Sequence, residues 1–563
     1  MKLDKSQVQR CAIFLFFDKD GIVDKYIENM LADLQKNVDY LLVVCNGFVD
    51  FQGLKRLKNV SNEVLCRANL GFDVGGYREG LFYLGWKELE KYDEIVLMNY
   101  TFFGPLYPFK EMFDTMSERD VDFWGLTKFH KVDGDPFHAI SYGYIPEHLQ
   151  SHFLVLRREF FMSYQYRDFI MNMKNPNSYT ESICSYEAIF TKYFSDLGFQ
   201  WAVYTDSTEY EGYSFYPVMF YAKDVIEEKR CPIIKRRSFF TDYTDFLLNT
   251  CGEASVEAYE YIRQNNLYDT DLIWENILRL ENMTAVHRSL HLNYILESYG
   301  TEYDWTDHIA LIVFLDHNLE NMRVYETLKS FSETIDLYIC WIYEKDQVDF
   351  GKQLRGESTQ NIDYIKAVYE MSEKLQGQNY DFVGVLCLDS ERRNWENLFG
   401  NKYIIGNMIE AFKRDEKLGI CIPPLQIDEK SYLQIADGWG NYFSKVKDIL
   451  KQKGVSVNIS DKERPLSPQE GTFWIRGDLF FKVVPQLLEE EKIPALLAIP
   501  FLVQNMGYYT GVGYNDDLIS DSITNQDYIL RENNIMLFKN YGPTYQHLVV
   551  DRIKNDDFSA GEQ

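Results

Sequence analysis

The sequence predicts an α/β protein with two related domains joined by a helical segment. Residues 12–45 alternate strand-length apolar runs with a helical period, four matches recur in order between the two halves, and residues 230–300 show helical periodicity without strand signals. Alternating strands and helices are typical of a parallel sheet covered by helices. We expect the first domain at residues 1–228, the helical connector at 229–304 and the second domain at 305–563.

The first strand–helix–strand unit shows both periods. Apolar runs at 12–17 and 40–45 have the length of buried strands. Between them, apolar residues recur on one face of a helix, at Ile27, Met30, Leu31 and Leu34. Two strands joined by a helix run parallel, and ligands of such sheets bind beyond the carboxyl ends of the strands. We therefore expect Asp18 and Asn46 at that edge.

The second half of the chain loosely repeats the first. Four pairs of segments match in the same order: residues 12–18 with 310–316, 39–45 with 336–341, 92–99 with 380–389, and 151–161 with 471–481. One such match would carry no weight, because each is little more than an apolar run beside polar residues. Four in order predict two related α/β domains.

The composition excludes several classes of protein. The chain has 58 Lys and Arg against 86 Asp and Glu, and its formal charge of −28 argues against binding nucleic acid. Nine cysteines follow no metal-ligand or disulfide spacing, which indicates reduced thiols in a cytosol. The sequence has no apolar leader and no run of about 18 apolar residues, so we expect a cytoplasmic protein that does not span a membrane.

Segment 67–80 is the most unusual in the chain. Four glycines surround Asp73 and Arg78 there: Gly71, Gly75, Gly76 and Gly80. Glycine lets a backbone approach a ligand closely, and the free N–H groups at a helix start favour a diphosphate. Asp73 and Arg78 could hold a sugar hydroxyl and a phosphate. The spacing fits neither a dinucleotide fingerprint nor a Walker loop.

Four segments carry a resemblance to a known family: residues 69–80, 97–105, 148–153 and 471–476. Together they resemble the rhamnan synthesis F family of bacterial polysaccharide glycosyltransferases, most specifically in the first domain. The resemblance implies two GT-A-like, Rossmann-type nucleotide-sugar domains, the second degenerate. It also implies dTDP-L-rhamnose as donor and a lipid-linked, rhamnose-containing polysaccharide as acceptor at the cytoplasmic membrane face.

The expected donor site has seven candidate residues: Asp18, Asn46, Asn69, Gly71, Arg78, Asn99 and Thr101. Many GT-A enzymes end a strand in Asp-x-Asp, which holds a divalent metal against the diphosphate, but here the strand at 95–98 ends in Asn-Tyr-Thr. We expect a metal-independent site in which Arg78, backbone amides and His152 oppose the leaving charge. Mg²⁺ or Mn²⁺ recruited by Asp73 stays an alternative.

The catalytic candidates are carboxylates. Sugar transfer passes through an oxocarbenium-like state, and an inverting enzyme needs one carboxylate base opposite the leaving group. Glu187, in a helix expected to open at residue 185, is the predicted base. Asp73 is the second catalytic candidate, and Asp206 is the other candidate base. The alternative for Glu187 is a first-turn glutamate that the helix dipole favours.

A polar group precedes the strand at 153–156. His148, Ser151 and His152 have no partner that suggests a serine nucleophile, and no cysteine or acidic neighbour at zinc spacing. We expect these three residues, with Asp206, to contact the acceptor or a phosphate. The alternative is a polar start to the strand.

The second domain has weaker signals. The counterpart of the glycine-rich segment is reduced to residues 356–363, and a strand end carries Asp389 and Glu391, which could hold a metal. Acceptor binding or a structural role is favoured here over a second active site.

Five positive charges lie between residues 229 and 237. They form either a solvated turn beside acidic neighbours or a contact for anionic lipid head groups or a lipid diphosphate. The second interpretation places the protein peripherally at the inner face of the cytoplasmic membrane, with other polysaccharide-assembly enzymes as further partners.

The favoured function is an inverting transfer of L-rhamnose from dTDP-L-rhamnose to a lipid-linked acceptor. Two alternatives stay open. The missing Asp-x-Asp motivates a non-catalytic glycan-binding or assembly factor with the same fold. The second alternative is transfer from a different nucleotide sugar, because the sequence does not show which residues contact the sugar.

Overall fold

The computed structural model describes residues 2–5, 7–300, 303–315, 334–341, 364–388, 394–425, 438–468 and 470–554. The chain divides into two compact units. The first comprises Met1–Ile273 with Asp551–Gln563, and the second comprises Trp274–Val550. Each unit contains a seven-stranded sheet.

The sheet of the first unit is mostly parallel. Its strands are β1 (Arg10–Phe16), β2 (Tyr40–Asn46), β3 (Glu63–Arg67), β4 (Glu94–Asn99), β6 (Phe123–Gly125), β9 (Phe153–Arg157) and β10 (Trp201–Val203). Their order across the sheet is β10-β6-β9-β4-β1-β2-β3. Strand β9 runs antiparallel to both its neighbours, and the other pairs are parallel. The predicted parallel pairing of the first two strands is confirmed.

Two short antiparallel pairs accompany this sheet. Strand β5 (Phe102–Phe103) pairs with β11 (Ile234–Lys235), and β7 (Lys128–Phe129) pairs with β8 (His148–Leu149). The first of these pairs brings a segment far along the chain back to the end of β4.

Helices of the first unit connect the strands. They are α1 (Lys25–Gln35), α2 (Phe51–Asn59), α3 (Phe72–Leu84), α4 (Trp86–Leu89), α5 (Phe109–Ser117), α6 (Arg158–Phe161), α7 (Tyr164–Asn172), α8 (Tyr179–Ser182), α9 (Ala188–Asp196), α10 (Pro217–Phe220) and α11 (Ala222–Lys229). A π-helical turn, Ile183–Glu187, joins α8 to α9. Helix α1 buries the predicted apolar face, which includes Ile27 and Leu34.

Two glycines set the position of α3 on the sheet. A Cβ at Gly80 would lie 2.6 Å from Ile13 Cγ2, and one at Gly76 would overlap Leu15 Cδ1. These glycines therefore allow close packing of helix on strand. We expected them to admit a ligand to the backbone. That expectation is wrong for Gly76 and Gly80, since the sheet fills the space in front of them.

The described residues of segment 229–304 form four α-helices, a 3₁₀-helical turn at Arg236–Phe239 and two short strands. The helices are α12 (Tyr243–Asn249), α13 (Ala254–Gln264), α14 (Asp271–Leu280) and α15 (Met283–Leu290). Besides β11, the segment carries β12 (Asn293–Leu296), which pairs with a strand of the second sheet. Strands of two to four residues are too short for periodicity to reveal, and the expectation of helices alone was wrong there.

The second unit has strands β13 (Ile309–Leu315), β14 (Asp336–Trp341), β15 (Phe382–Leu388), β16 (Leu418–Ile422), β17 (Phe473–Arg476) and β18 (Tyr509–Asn515) beside β12. Its helices from residue 364 onward are α16 (Tyr364–Leu375), α17 (Glu396–Phe399), α18 (Lys402–Arg414), α19 (Phe443–Gln452), α20 (Gly477–Val483), α21 (Lys492–Asn505) and α22 (Asp516–Lys554), the last interrupted at Gly542. The strand order is β12-β18-β16-β17-β15-β13-β14.

The two sheets share a topology. Read from β2, the first sheet runs β2-β1-β4-β9-β6-β10; read from β14, the second runs β14-β13-β15-β17-β16-β18. Strand β17 is antiparallel to both its neighbours, as β9 is. All four sequence matches fall on strands at equivalent positions, so the predicted pair of related α/β domains is confirmed. Segments 356–363 and 389–391 lie outside the described residues.

Within the described part of the chain, none of the helices combines the length and the apolar character needed to cross a membrane.

Candidate active site

The site of the first unit is centred on Asp73, in the first turn of α3. Gly71 caps this helix in the left-handed conformation with φ of 76°. The Asp73 carboxylate accepts hydrogen bonds from Ser151 Oγ at 2.7 Å and Ser182 Oγ at 3.3 Å. Asn99, the last residue of β4, donates through Nδ2 at 3.5 Å. The carboxyl edge of the sheet, the start of β9 and the end of α8 therefore meet at one carboxylate.

Glu187 lies at the same place. Its Oε1 accepts a hydrogen bond from the Ser151 backbone N–H at 3.1 Å, while the Ser151 hydroxyl donates to Asp73. Ser151 thus joins the two predicted catalytic carboxylates. A third contact fixes this residue, because the buried Tyr77 hydroxyl donates to the Ser151 carbonyl at 3.0 Å.

The helix that carries Glu187 begins earlier than predicted. It is continuous from Tyr179 to Asp196, and Glu187 ends the π-helical turn within it. The expected start at residue 185 is therefore wrong, and Glu187 is not a first-turn residue. The helix dipole therefore does not stabilise the Glu187 carboxylate, because its effect is confined to the first and last turns of a helix. Single π turns inside α-helices are frequent at functional sites.

The surroundings of Glu187 change its acidity. Desolvation, reinforced by the negative charge of Asp73, raises the pKa of Glu187 to about 7. The Ser151 hydrogen bond and the Lys235 ammonium oppose that rise. A carboxyl group with a pKa near neutrality, beside a well hydrogen-bonded carboxylate, has the properties of a general base at physiological pH.

Sequence reasoning missed Lys235 as a member of the site. Its side chain is 6% exposed, and Nζ donates to Thr101 Oγ1 at 3.3 Å. Thr101 in turn donates to Asn99 Oδ1 at 2.7 Å, so a chain of hydrogen bonds links Lys235 to Asp73. Lys235 was noted in the sequence only as one of the basic residues at 229–237. Nothing in the sequence shows that β11 pairs with β5, which is what brings this lysine to the site.

The cluster at 229–237 does not form one surface patch. Lys229 pairs with Glu209 and Arg230 with Glu111, at 2.8 Å each. Lys235 and Arg236 are buried, and Arg237 is exposed. Only part of the cluster could therefore meet a lipid surface.

Four of the predicted donor-binding residues lie at the carboxyl edge of the sheet. Asn46 is buried and donates to the Phe72 carbonyl at 3.0 Å, which ties β2 to the start of α3. Asp18 closes a turn by accepting from the Asp20 and Ile22 N–H groups. Asn99 and Thr101 belong to the chain of hydrogen bonds described above.

The other three donor candidates flank α3. Asn69 is exposed. A Cβ at Gly71 would meet Asn175 Oδ1 at 2.7 Å, so the loop through Asn175 covers this glycine. Arg78 donates to Asn175 Oδ1 at 2.7 Å and to the Met173 carbonyl. Its guanidinium thus anchors the 173–175 loop, an arrangement that competes with the expected phosphate contact.

The histidines are buried. His148 Nδ1 contacts the Pro146 carbonyl at 2.7 Å and its ring stacks on Phe129, while burial lowers its pKa to about 4. His152 Nε2 contacts Thr127 Oγ1 at 3.2 Å, and burial, with the Lys235 charge, lowers its pKa well below the ordinary value. Both rings are therefore neutral at pH 7 and supply no positive charge to a phosphate.

Asp206 sits in a turn after β10. Its Oδ1 accepts from the Thr208 hydroxyl at 2.6 Å and from the Thr208 N–H at 3.0 Å, and these bonds lower its pKa. No described hydrogen bond links Asp206 to Asp73 or Glu187. A carboxylate held in this way is a weaker base than Glu187.

A metal could meet oxygen atoms of Asp73, Asn99 and Glu187, which are ligand types that Mg²⁺ accepts. Within the described ranges, no group of three His, Cys, Asp or Glu side chains is arranged to hold a metal ion. Two carboxylates and one amide supply fewer ligands than the six that Mg²⁺ takes, so most of its ligands would have to come from water or substrate.

The equivalent place in the second unit has a different composition. Tyr364 donates to the Gly471 carbonyl at 2.8 Å, just as Tyr77 donates to Ser151, so Gly471 stands where the first unit has its bridging serine. Helix α21 occupies the chain position of the Glu187 helix, and its residues 494–503 are apolar and buried. Neither the bridging hydroxyl nor the helix carboxylate recurs at these described positions.

Comparison with known proteins gives a family. Residues 41–500 match the family described as rhamnan synthesis protein F. No curated protein matches the chain. Among solved structures, the glycosyltransferase GlyE of Streptococcus pneumoniae is 10% identical over 73% of this chain and 91% of its own, with a TM-score of 0.26. Glucosyl-3-phosphoglycerate synthase from Mycobacterium tuberculosis is 9% identical over 33% of this chain and 64% of its own, with a TM-score of 0.21.

The assignment rests on the family match, which spans most of the chain and includes Asp73, Ser151, Glu187 and Lys235. The chain belongs to the rhamnan synthesis protein F family and is a glycosyltransferase.

Proposed function

We propose that the first unit transfers L-rhamnose from dTDP-L-rhamnose, with inversion, to a lipid-linked, rhamnose-containing polysaccharide. The observation that carries the proposal is the Asp73–Ser151–Glu187 arrangement at the carboxyl edge of the first sheet. Parallel α/β sheets bind their ligands at this edge. Rhamnose as the sugar follows the description of the family, and dTDP and the lipid link follow the resemblance.

Glu187 is the proposed base. Its carboxylate takes the proton from an acceptor hydroxyl, the acceptor oxygen bonds to the anomeric carbon, and the bond from that carbon to the diphosphate breaks. The electron pair of the broken bond leaves on the diphosphate oxygen. One displacement of this kind inverts the anomeric configuration and needs a single base, which the raised pKa of Glu187 favours.

Asp73 has a different proposed role. Its carboxylate already accepts bonds from Ser151, Ser182 and Asn99. A carboxylate held by several donors is well placed to orient a neighbour or a sugar hydroxyl. We assign to Asp73 the positioning of Ser151 and of the bound sugar.

The test is a donor panel. Purified protein is incubated with a synthetic rhamnosyl lipid acceptor and one of dTDP-L-rhamnose, dTDP-glucose, UDP-glucose or GDP-mannose, and nucleotide release and the product's anomeric configuration by NMR are recorded. Inverted product from dTDP-L-rhamnose alone is expected. Retained configuration would remove the single-displacement mechanism, and turnover of another donor would reassign the sugar.

The same assay tests the metal. We expect turnover to continue in EDTA, since the site offers a lysine and few ligands for an ion. Loss of turnover in EDTA, restored by Mg²⁺ or Mn²⁺, would instead assign a metal to Asp73.

Location at the membrane is a separate proposal. A lipid-linked acceptor requires the site to work at a membrane surface, and Arg237 is an exposed cation beside it. We expect the protein to co-sediment with vesicles that contain anionic lipid and to stay in solution with neutral vesicles. Equal recovery in both supernatants would contradict peripheral binding through this segment.

A further inference from the structure

Lys235 is a buried cation that has no carboxylate within hydrogen-bond distance among the residues that the structure describes. Three other buried cations of the first unit have a carboxylate partner: Arg10 pairs with Glu94 at 2.7 Å, Lys128 with Glu147 at 2.6 Å, and Arg157 with Glu94 at 3.4 Å. Among the described residues, the hydrogen bond recorded for the Lys235 ammonium is the one to the neutral Thr101 hydroxyl. An ammonium group has three donors, so its hydrogen-bonding capacity is not filled.

The backbone holds Lys235 in this position. Strand β11 pairs antiparallel with β5, with Lys235 opposite Phe102 and Ile234 opposite Phe103. The next residue, Arg236, donates its N–H to the Thr101 carbonyl at 3.1 Å. Backbone bonds on both sides of the lysine therefore fix it beside the end of β4, where Asn99 begins the chain of contacts to Asp73.

The charges around Lys235 are mixed. Burial lowers its pKa to about 8, Glu187 and Asp73 favour the charged form, and Arg237 and burial oppose it. Cys231 also favours the charged form. Burying an ammonium costs free energy that a hydroxyl alone does not offset. An anion bound at this place would offset the cost.

We infer that Lys235 binds the diphosphate of the nucleotide sugar and stabilises the negative charge on the departing nucleotide. This rests on the proposed function in one respect, that the substrate is a nucleotide sugar. The ammonium donates hydrogen bonds to the diphosphate oxygens as the bond to the sugar breaks, and no proton needs to move. A charge-assisted bond of this kind supplies what a divalent metal supplies elsewhere.

Lys235 also takes over a role that sequence analysis gave to others. Arg78 donates to the 173–175 loop, and the His152 ring is neutral at pH 7. Neither is as well placed as Lys235 to meet a diphosphate.

The test measures nucleotide binding and not turnover. Isothermal titration in EDTA compares wild type, Lys235→Met, Lys235→Arg and Lys229→Met, each with dTDP, UDP, GDP and ADP, and with thymidine. Lys229→Met is the matched control, because Lys229 belongs to the same basic cluster but pairs with Glu209 at the surface. Thermal unfolding checks that each variant is folded, and removal of an unpaired buried charge is not expected to destabilise the protein.

We expect Lys235→Met to weaken the binding of the preferred nucleoside diphosphate by about tenfold or more, a typical effect of a charge-assisted bond. Thymidine binding should be unchanged, Lys235→Arg should keep most of the affinity, and Lys229→Met should match wild type. Equal diphosphate affinity in Lys235→Met and wild type would overturn the inference, as would a wild type that binds none of the four nucleotides in EDTA. Preference for UDP, GDP or ADP would contradict the proposed donor but would still test Lys235.

Discussion

Ser151 bridges the carboxylates of Asp73 and Glu187 through hydrogen bonds. Its hydroxyl donates to Asp73, its N–H donates to Glu187 and its carbonyl accepts from Tyr77. Two of these three contacts use the backbone and survive any substitution other than proline. The hydroxyl contact can therefore be removed alone.

Replacing Ser151 with alanine should lower kcat/KM by about 10- to 150-fold. This range corresponds to about 1.5–3 kcal/mol for a hydrogen bond to a charged group. Steady-state kinetics with the rhamnosyl acceptor measures it. Ser195→Ala, at an exposed serine of α9, is the matched control. Unchanged kinetics in Ser151→Ala would mean that Asp73 needs no help from the hydroxyl.

The pH dependence of kcat/KM should be bell-shaped, since kcat/KM reports the pKa values of the free enzyme. The base must be deprotonated, so activity rises as pH passes the raised Glu187 pKa of about 7. The cation must be charged, so activity falls as pH passes the lowered Lys235 pKa of about 8. In Lys235→Arg the falling limb should move to higher pH, because arginine keeps its charge. A flat profile between about pH 5 and 9 would contradict both assignments.

Single residues were predicted unevenly. Asp73, Ser151 and Glu187 were all singled out from the sequence, and the fold brings them together. Lys235 could not be identified, because its role depends on a two-residue strand pairing with a segment more than a hundred positions earlier. The contacts of Arg78 could not be predicted for a similar reason: the loop that it anchors lies far from it in sequence.

At the scale of elements, the glycine-rich segment in α3 has two roles, one in the site and one in packing. Its first turn presents Asp73 to the site, while Gly76 and Gly80 let its opposite face lie close on β1. The cluster of glycines was visible in the sequence. Which glycines face the sheet and which face the ligand edge depends on the rotation of the helix, and the sequence does not specify that.

Gly80→Val should destabilise the first unit. The added side chain would press on Ile13 and Val44, and overpacking of this kind costs about 1–3 kcal/mol. Urea unfolding of the full chain, followed by fluorescence, should show the earlier midpoint. The control is Glu79→Val, which places the same side chain at an exposed neighbour on the helix. An equal shift in both variants would show that valine in a helix, and not the contact with the sheet, is responsible.

Buried strands were the elements that the sequence predicted best. The runs at 40–45 and 95–98 lie in strands of the first sheet, as does the run at 12–17 except for Phe17, which follows β1. Long apolar runs specify strands because both faces of a parallel sheet are covered. The π-helical turn before Ala188 was not foreseen, since one extra residue in a helix leaves no clear mark on periodicity.

At the scale of the whole molecule, the two units share a fold and differ in chemistry. Six strands follow the same order in both sheets, and a tyrosine contacts the same carbonyl position in each. The order of the sequence matches was enough to predict this duplication. The loss of chemistry was harder to predict, because it depends on single residues such as Gly471.

One nucleotide should bind per chain. The second unit has glycine at the place of Ser151 and an apolar helix at the place of Glu187. Titration of the full chain with dTDP should give a stoichiometry of one, and Lys235→Met should weaken that single event. Two binding events per chain, with one insensitive to Lys235→Met, would show that the second unit also binds nucleotide.

The assignment of Glu187 as base is the central claim, and its most direct measurement is the rate of nucleotide release in a single turnover by Glu187→Gln. Asp196→Asn, at an acidic residue on the same helix that pairs with Lys192 at the surface, is the control. We expect a rate about 10²- to 10⁴-fold below wild type for Glu187→Gln, the usual contribution of a general base, and a wild-type rate for Asp196→Asn. A wild-type rate in Glu187→Gln, with the acceptor bound and the protein folded, would contradict it.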